Sequence, residues 1–215
     1  MTNTGNNNTS IGYASLKVNA AGSKNTAVGQ EALFTNASTN ENTSLGYQAG
    51  YSTTGSENTF IGSRAGYNIA AVNGNVAVGR YALYTSTGAV DCIAIGRQSM
   101  YSGNATQTGT VAIGKSALTA LTSGAGNLAI GQNSSKAITT GAYNLALGAN
   151  VLQHCLDGSY NIGIGFGAMS DWDVGGGTST TVDGSNNNVM IGVNAGGGAW
   201  TNVQSNFNVG IGNYV

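Results

Sequence analysis

Asn25-Thr26-Ala27-Val28-Gly29 is one copy of the pattern that decides how this chain folds. The pattern reads Asn-x-small-Ile/Val/Leu-Gly, and it recurs twelve times. The first copy is Asn8-Thr9-Ser10-Ile11-Gly12 and the last is Asn208-Val209-Gly210-Ile211-Gly212. The closing glycines are Gly12, Gly29, Gly46, Gly62, Gly79, Gly96, Gly114, Gly131, Gly148, Gly165, Gly192 and Gly212. Nine of the eleven spacings between them fall within one position of a common period of about 17 residues. A short constant period marks a solenoid, in which each repeat is one rung and neighbouring rungs bury each other.

Aligned on the closing glycine, the rungs resolve into columns. Four residues before it stands Asn in ten of twelve rungs, with Cys92 and Thr110 as the exceptions. Three before it stands Thr in the first four rungs, then mostly Val, Ile or Leu. Two before it the residue is small, apart from Phe60 and Met190. One before it is always Ile, Val or Leu. This alternation of period two predicts a short β-strand. The branched residues are expected to stack as a buried aliphatic ladder, with the small residue pointing the other way. A fully buried branched side chain contributes about 1.5–3 kcal/mol. The glycine is expected at φ > 0 or at a close backbone approach. Three residues after it a small residue recurs (Ala32, Ala49, Ala82), followed by Leu, Met or Gly; this reads as a second short strand or a bend. Asn suits a turn, and amides stacked in register can bond to the rung above and below. Recurrent Gly and Asn argue against helix. Twelve rungs at about 4.8 Å predict a rod roughly 55–60 Å long.

Composition agrees with a stack and narrows the function. The chain has 215 residues, 35 Gly, no Pro and only 7% charged residues. Charge this sparse, with 40% hydrophobic residues, is not the profile of a disordered tail. Net charge is −1 with seven Lys/Arg, which gives no case for nucleic acid. No apolar run approaches the ~18 residues of a membrane span. The first residues, from Met1 to Asn6, do not read as a secretory signal. Cys92 and Cys155 lie three to four rungs apart and read as reduced structural thiols rather than a disulfide. His154 has no further ligands at metal-site spacing, so no metal and no cofactor are expected.

The units Asn75-Val76-Ala77-Val78-Gly79-Arg80-Tyr81-Ala82 and Asn127-Leu128-Ala129-Ile130-Gly131 resemble the head repeat of trimeric autotransporter adhesins. Similar repeats occur in bacteriophage tail-fibre proteins. The resemblance covers nearly the whole chain, from Asn8 to Val215. It implies a left-handed parallel β-roll, three chains side by side, and a role in surface attachment. The rungs here are longer than the common head repeat, and no coiled-coil stalk or anchor barrel is read. The expected fold is therefore an all-β, parallel β-roll or β-helix solenoid of about twelve rungs, left-handed and trimeric on the resemblance. Residues 1–170 form the regular repeats. Residues 171–215 continue the roll with two longer loop insertions.

Two groups of residues are candidates for binding. The first is the aromatic run five residues after the glycine: Phe34, then Tyr51, Tyr67, Tyr84 and Tyr101. It reads either as a packing ladder or as a glycan- or receptor-facing stripe. The second lies where the period lengthens, from Gly165 to Gly192 and again from Gly192 to Gly212, in loops that hold Asp171, Trp172, Asp173 and Trp200. Loops on a rigid scaffold often carry function, and capping of the core is the competing reading. Arg80, Arg97 and Lys115, each following its glycine, form a short basic line that reads as a solvated edge. The paired carboxylates Asp171, Asp173 and Asp183 are the only catalytic candidates, and no Ser-His arrangement accompanies them, so no enzyme is expected.

Function is therefore expected to be structural: an attachment fibre, adhesin-like or tail-fibre-like, on an extracellular surface or a virion. Its partners would be two further copies of itself and a host glycan or protein, with no nucleic acid and no membrane insertion. The alternative is a head-to-tail self-assembling filament, suggested by rungs that reach both ends with no obvious cap.

Overall fold

The computed structural model describes residues 4–102, 107–170, 184–197 and 205–215. The strands of rungs 1 to 12 are Thr9–Ile11, Thr26–Val28, Thr43–Leu45, Thr59–Ile61, Val76–Val78, Ile93–Ile95, Val111–Ile113, Leu128–Ile130, Leu145–Leu147, Ile162–Ile164, Val189–Ile191 and Val209–Ile211. They form one twelve-stranded sheet in chain order, parallel throughout. This is the all-β solenoid that the period predicts, with about eleven turns. Pairing keeps every column in register: Val76 lies beside Ile93 and Val78 beside Ile95. Register survives the long interval, because Ile162 pairs with Val189. A second, two-stranded parallel pairing joins Asn68–Ile69 to Thr85–Ser86. The segment after the closing glycine is therefore mostly a bend rather than a second strand.

The bend is made by left-handed residues. In rung 6 these are Asp91 (φ 55), Gln98 (φ 61) and Met100 (φ 47), five before, two after and four after Gly96. The same three positions are left-handed in most rungs, filled by residues as different as Glu57, Arg64 and Leu83. The closing glycine itself is more extreme. Gly79 has φ +128, and a Cβ there would sit 2.8 Å from the carbonyl carbon and oxygen of Gly96. Both expected reasons for glycine hold at once: a backbone region open almost only to Gly, and a neighbouring rung against it.

The core runs on the opposite side of the strand from the one the alternation suggests. The small middle residue points inward: Ala27, Ala77, Ala94, Ala112, Ala129 and Ala146 are all fully buried. The branched residues face outward, with Leu45 48% exposed and Ile130 38%. The expectation of a buried branched ladder is thus corrected. The bend folds back under the strand and fills the interior with its own Ala and Leu, such as Ala32 with Leu33 and Ala82 with Leu83. What remains opposite them is about one methyl deep.

The two large residues of the inward column confirm this limit. Phe60 is fully buried, and it fits because rungs 3 and 4 carry glycine where most others carry Leu or Met. A Cβ on Gly50 would lie 2.8 Å from the Phe60 ring, and one on Gly66 even closer. Met190 likewise packs against the space left by Gly210. Volume moves between columns while the total stays near constant, as close packing requires.

The Asn column is a buried amide ladder. The Oδ1 of Asn25 accepts from the backbone N–H of Asn42 (3.0 Å) and from its Nδ2 (3.2 Å). Asn58 and Asn75 continue the chain upward, each Nδ2 also reaching a carbonyl of the next turn. The ladder resumes from Asn127 through Asn144, Asn161 and Asn188 to Asn208. It is interrupted at Cys92 and Thr110. There the Thr110 hydroxyl and both polar atoms of the Gln107 amide are buried without a partner among the described residues.

Candidate functional site

Three surfaces of the stack carry side chains that could meet a partner. The broadest is the outer face of the twelve-stranded sheet. The column beside the closing glycine is aliphatic in every rung, and the other is Thr in the first four rungs and aliphatic from Val76 onward; Ile93 and Ile95 are each 36% exposed, and exposure rises to 71% at Ile211. The face is about 10 Å wide and eleven rung spacings tall, on the order of 500 Å². An apolar patch of that order matches the largest patch on a typical monomer, and such patches are often functional.

The second surface is the aromatic stripe. Phe34, Tyr51, Tyr67, Tyr84 and Tyr101 stack in sequence with ring centroids 5.0–5.2 Å apart and planes within 13° of parallel. The in-register bend produces this, since each ring comes from the same position of successive rungs. Tyr51, Tyr67 and Tyr84 have both faces covered by neighbouring rings. The stripe therefore offers ring edges and hydroxyls, not faces for a sugar to stack on. Tyr81 meets Tyr84 edge-on at 5.2 Å. Past Tyr101 the column holds Thr119, Lys136 and Gln153 instead of rings. These residues line a shallow groove with Ala120, Ala137 and His154. The His154 Nδ1 lies 2.9 Å from the Ser170 carbonyl oxygen.

The third surface is the basic line. Arg64, Arg80, Arg97 and Lys115 occupy four consecutive rungs beside the end of the strand. Arg64 lies over the rings of Tyr47, Tyr67 and Tyr81, at 5.5, 5.6 and 5.9 Å. Its Nε donates to the Gln48 Oε1 at 2.8 Å, and Gln48 in turn donates to Glu31. The Arg80 guanidinium sits 4.6 Å from the Tyr81 centroid. A hydrogen bond from Arg80, helped by Arg64, holds the Tyr81 phenol below its usual pKa. The ion pair among the described residues is Lys24 with Glu41, at 2.7 Å on the other edge of the strand.

Asp171, Trp172, Asp173 and Trp200 lie outside the described residues, as does Asp183. Cys92 and Cys155 are buried and form no disulfide. Burial pushes the Cys92 thiol above its ordinary pKa. Among the described residues no cluster of three His, Cys, Asp or Glu side chains is placed to hold a metal ion. No described helix is long and apolar enough to cross a membrane. The outward direction of the aliphatic columns is what sequence reading missed. The clue was the column of Ala and Ser between them, too small to fill a core alone. No family model, curated protein or solved structure matches the chain.

Proposed function

We propose that this chain is a non-enzymatic structural fibre protein that works as a side-by-side homo-oligomer in surface attachment. The observation that carries the reading is the outward aliphatic face. One column of Val, Ile and Leu runs its length and a second joins it from Val76 onward, where a surface built for water would carry polar residues. A second copy laid against it removes that area from water, at about 25 cal/mol per Å². Several chains packed around a common axis also give a stiff shaft from a narrow rung. The number three, the attachment role and the place on a cell surface or virion rest on the resemblance of the Asn-x-Ala-Ile-Gly repeats to adhesin heads and tail fibres.

Light scattering on the purified protein, with negative-stain microscopy, tests the reading. Short rods of three-chain mass are expected. A chain that stays monomeric at micromolar concentration overturns it, and long filaments would replace it with axial self-assembly. The variant Ile95→Lys/Ile130→Lys is expected to stay folded and lose association, because both side chains face outward. Binding of the rods to a glycan array or host cells then tests the attachment role.

A further inference from the structure

A net charge of −1 conceals how the ions are distributed once the chain is wound. Between Glu57 and Asp157 the sequence holds five cations, Arg64, Arg80, Arg97, Lys115 and Lys136, against a single acid, Asp91. The period puts one cation on each of rungs 4 to 8, without a gap. Asp91 lies on the other edge of the strand, five residues before its closing glycine. In rungs 3 to 8 the segment from each closing glycine through the bend carries no Asp or Glu.

These cations belong to the tyrosine side of the rod, not to its aliphatic face. The Arg64 guanidinium lies over Tyr67, a member of the aromatic stripe, and Arg80 lies over Tyr81. Tyr81 in turn meets the stripe edge-on at Tyr84 and Tyr101. Lys136 occupies the stripe's own column, two rungs past Tyr101. Arg64 is fixed in place, because its Nε donates to Gln48 and its Nη1 reaches the Tyr81 hydroxyl. Arg80, Arg97, Lys115 and Lys136 are exposed, and none forms an ion pair among the described residues. A surface kept only for solubility interleaves both signs, and this one does not.

We infer that the tyrosine side of rungs 4 to 8 is a binding surface for an extended acidic polysaccharide, a chain of uronate sugars. The inference rests on the attachment role proposed above and names the chemistry of its ligand. The cations recur at one rung spacing, about 4.8 Å, near the rise of one sugar residue in an extended polysaccharide. Carboxylates carried along such a chain fall within reach of these long side chains at every height, over about 19 Å of the stack. The guanidinium groups of Arg80 and Arg97 match a carboxylate in fork geometry, and such charge-assisted pairs are stronger than neutral ones. The covered ring faces of the stripe leave no place for a sugar to stack, so its phenol hydroxyls meet the sugar hydroxyls instead. The stacked rings and the parallel sheet hold these groups at fixed heights, which reduces the ordering that binding requires.

Isothermal titration calorimetry with a short oligogalacturonate tests the inference. The wild-type protein is expected to bind it at low salt and to release it as salt rises. The methyl-esterified oligomer has the same backbone without the charge and is expected to bind at least tenfold more weakly, at roughly the loss that rim charges carry. Arg97→Gln/Lys115→Gln is expected to weaken binding by roughly tenfold or more, with an unchanged circular-dichroism melt. Lys24→Gln, on the other edge of the strand, is expected to leave binding as it is. Absence of binding, equal binding of the ester, or equal losses in the two variants overturns the inference. A single-stranded oligodeoxynucleotide that binds as tightly as oligogalacturonate also overturns it, since the surface would then read charge alone. Light scattering on the same samples separates this result from the oligomer. Rods that form and ignore uronate overturn the inference and leave the fibre standing. Monomers that bind uronate support it and overturn the side-by-side oligomer.

Discussion

Gly79 and Gly109 both have positive φ, at +128 and +61, yet they should respond differently to alanine. A Cβ on Gly109 meets nothing within 4 Å, and its φ is one that Glu57 and Asp91 adopt at the same position of other rungs. Gly109→Ala is expected to cost about 1 kcal/mol. Gly79→Ala places a methyl 2.8 Å from the backbone of Gly96, in a conformation nearly closed to other residues. Its cost should be several-fold larger, measurable by urea titration of the two variants. The break in the amide ladder makes a second prediction at this scale. Cys92→Asn/Thr110→Asn should place two amides in the gap and let the ladder run unbroken from Asn75 to Asn127. We expect a gain of about 1–3 kcal/mol and a higher Tm. The same thiol gives a pH effect with a definite sign. Burial raises the Cys92 pKa in the folded chain, so the unfolded thiol ionises first as pH rises. Stability from this group is complete below the ordinary thiol pKa of about 8.5 and is lost as pH climbs through the raised folded value. Thermal melts from pH 7 to 10 should show a downward slope that is shallower in Cys92→Ala.

At the scale of one rung, Phe60 shows how packing volume is shared between strand and bend. Phe60→Ala should cost about 3–5 kcal/mol through the cavity it opens. Adding Gly66→Leu should recover part of that loss, because Leu33 and Leu83 already occupy the equivalent left-handed position. Denaturation midpoints of the single and double variants check both values. The rung is also where sequence reading succeeded and where it failed. The period, the strand positions, the need for glycine and the stacking of Asn amides were all legible, because each depends only on spacing and backbone chemistry. The inward direction was not. Alternation assigns two faces but does not say which is inside, and the usual rule that branched residues are buried favours the wrong one here. The interior is set by the bend residues Ala82 and Leu83, which lie on another side of the rung. Their distance from the strand cannot be read from period alone. The pairing of Phe60 with Gly50 and Gly66 was present in the columns, but only as two exceptions in separate columns.

Across the whole stack, the proposed function depends on what the long faces meet rather than on any single pocket. Of the candidate site, the tyrosine column was legible as a ladder, because a constant period places Tyr51, Tyr67, Tyr84 and Tyr101 one above another. Its covered ring faces were not, since they follow from the near-parallel ring planes. The basic line of Arg80, Arg97 and Lys115 was legible from their shared place one residue after the glycine. Arg64, one residue further on, joins it on the adjacent rung only once the chain is wound. The outward Val, Ile and Leu columns predict that association, once formed, persists in high salt, which light scattering at low and high salt would check.

Every hydrogen bond between strands runs along the long axis of the stack, from one rung to the next. Pulling on the two ends therefore loads these bonds one turn at a time, in series, rather than all at once. Each turn that gives way releases about 17 residues of chain, roughly 60 Å of new length for about 5 Å of height lost. Extended in this way, a stack yields in steps and dissipates load as stored length.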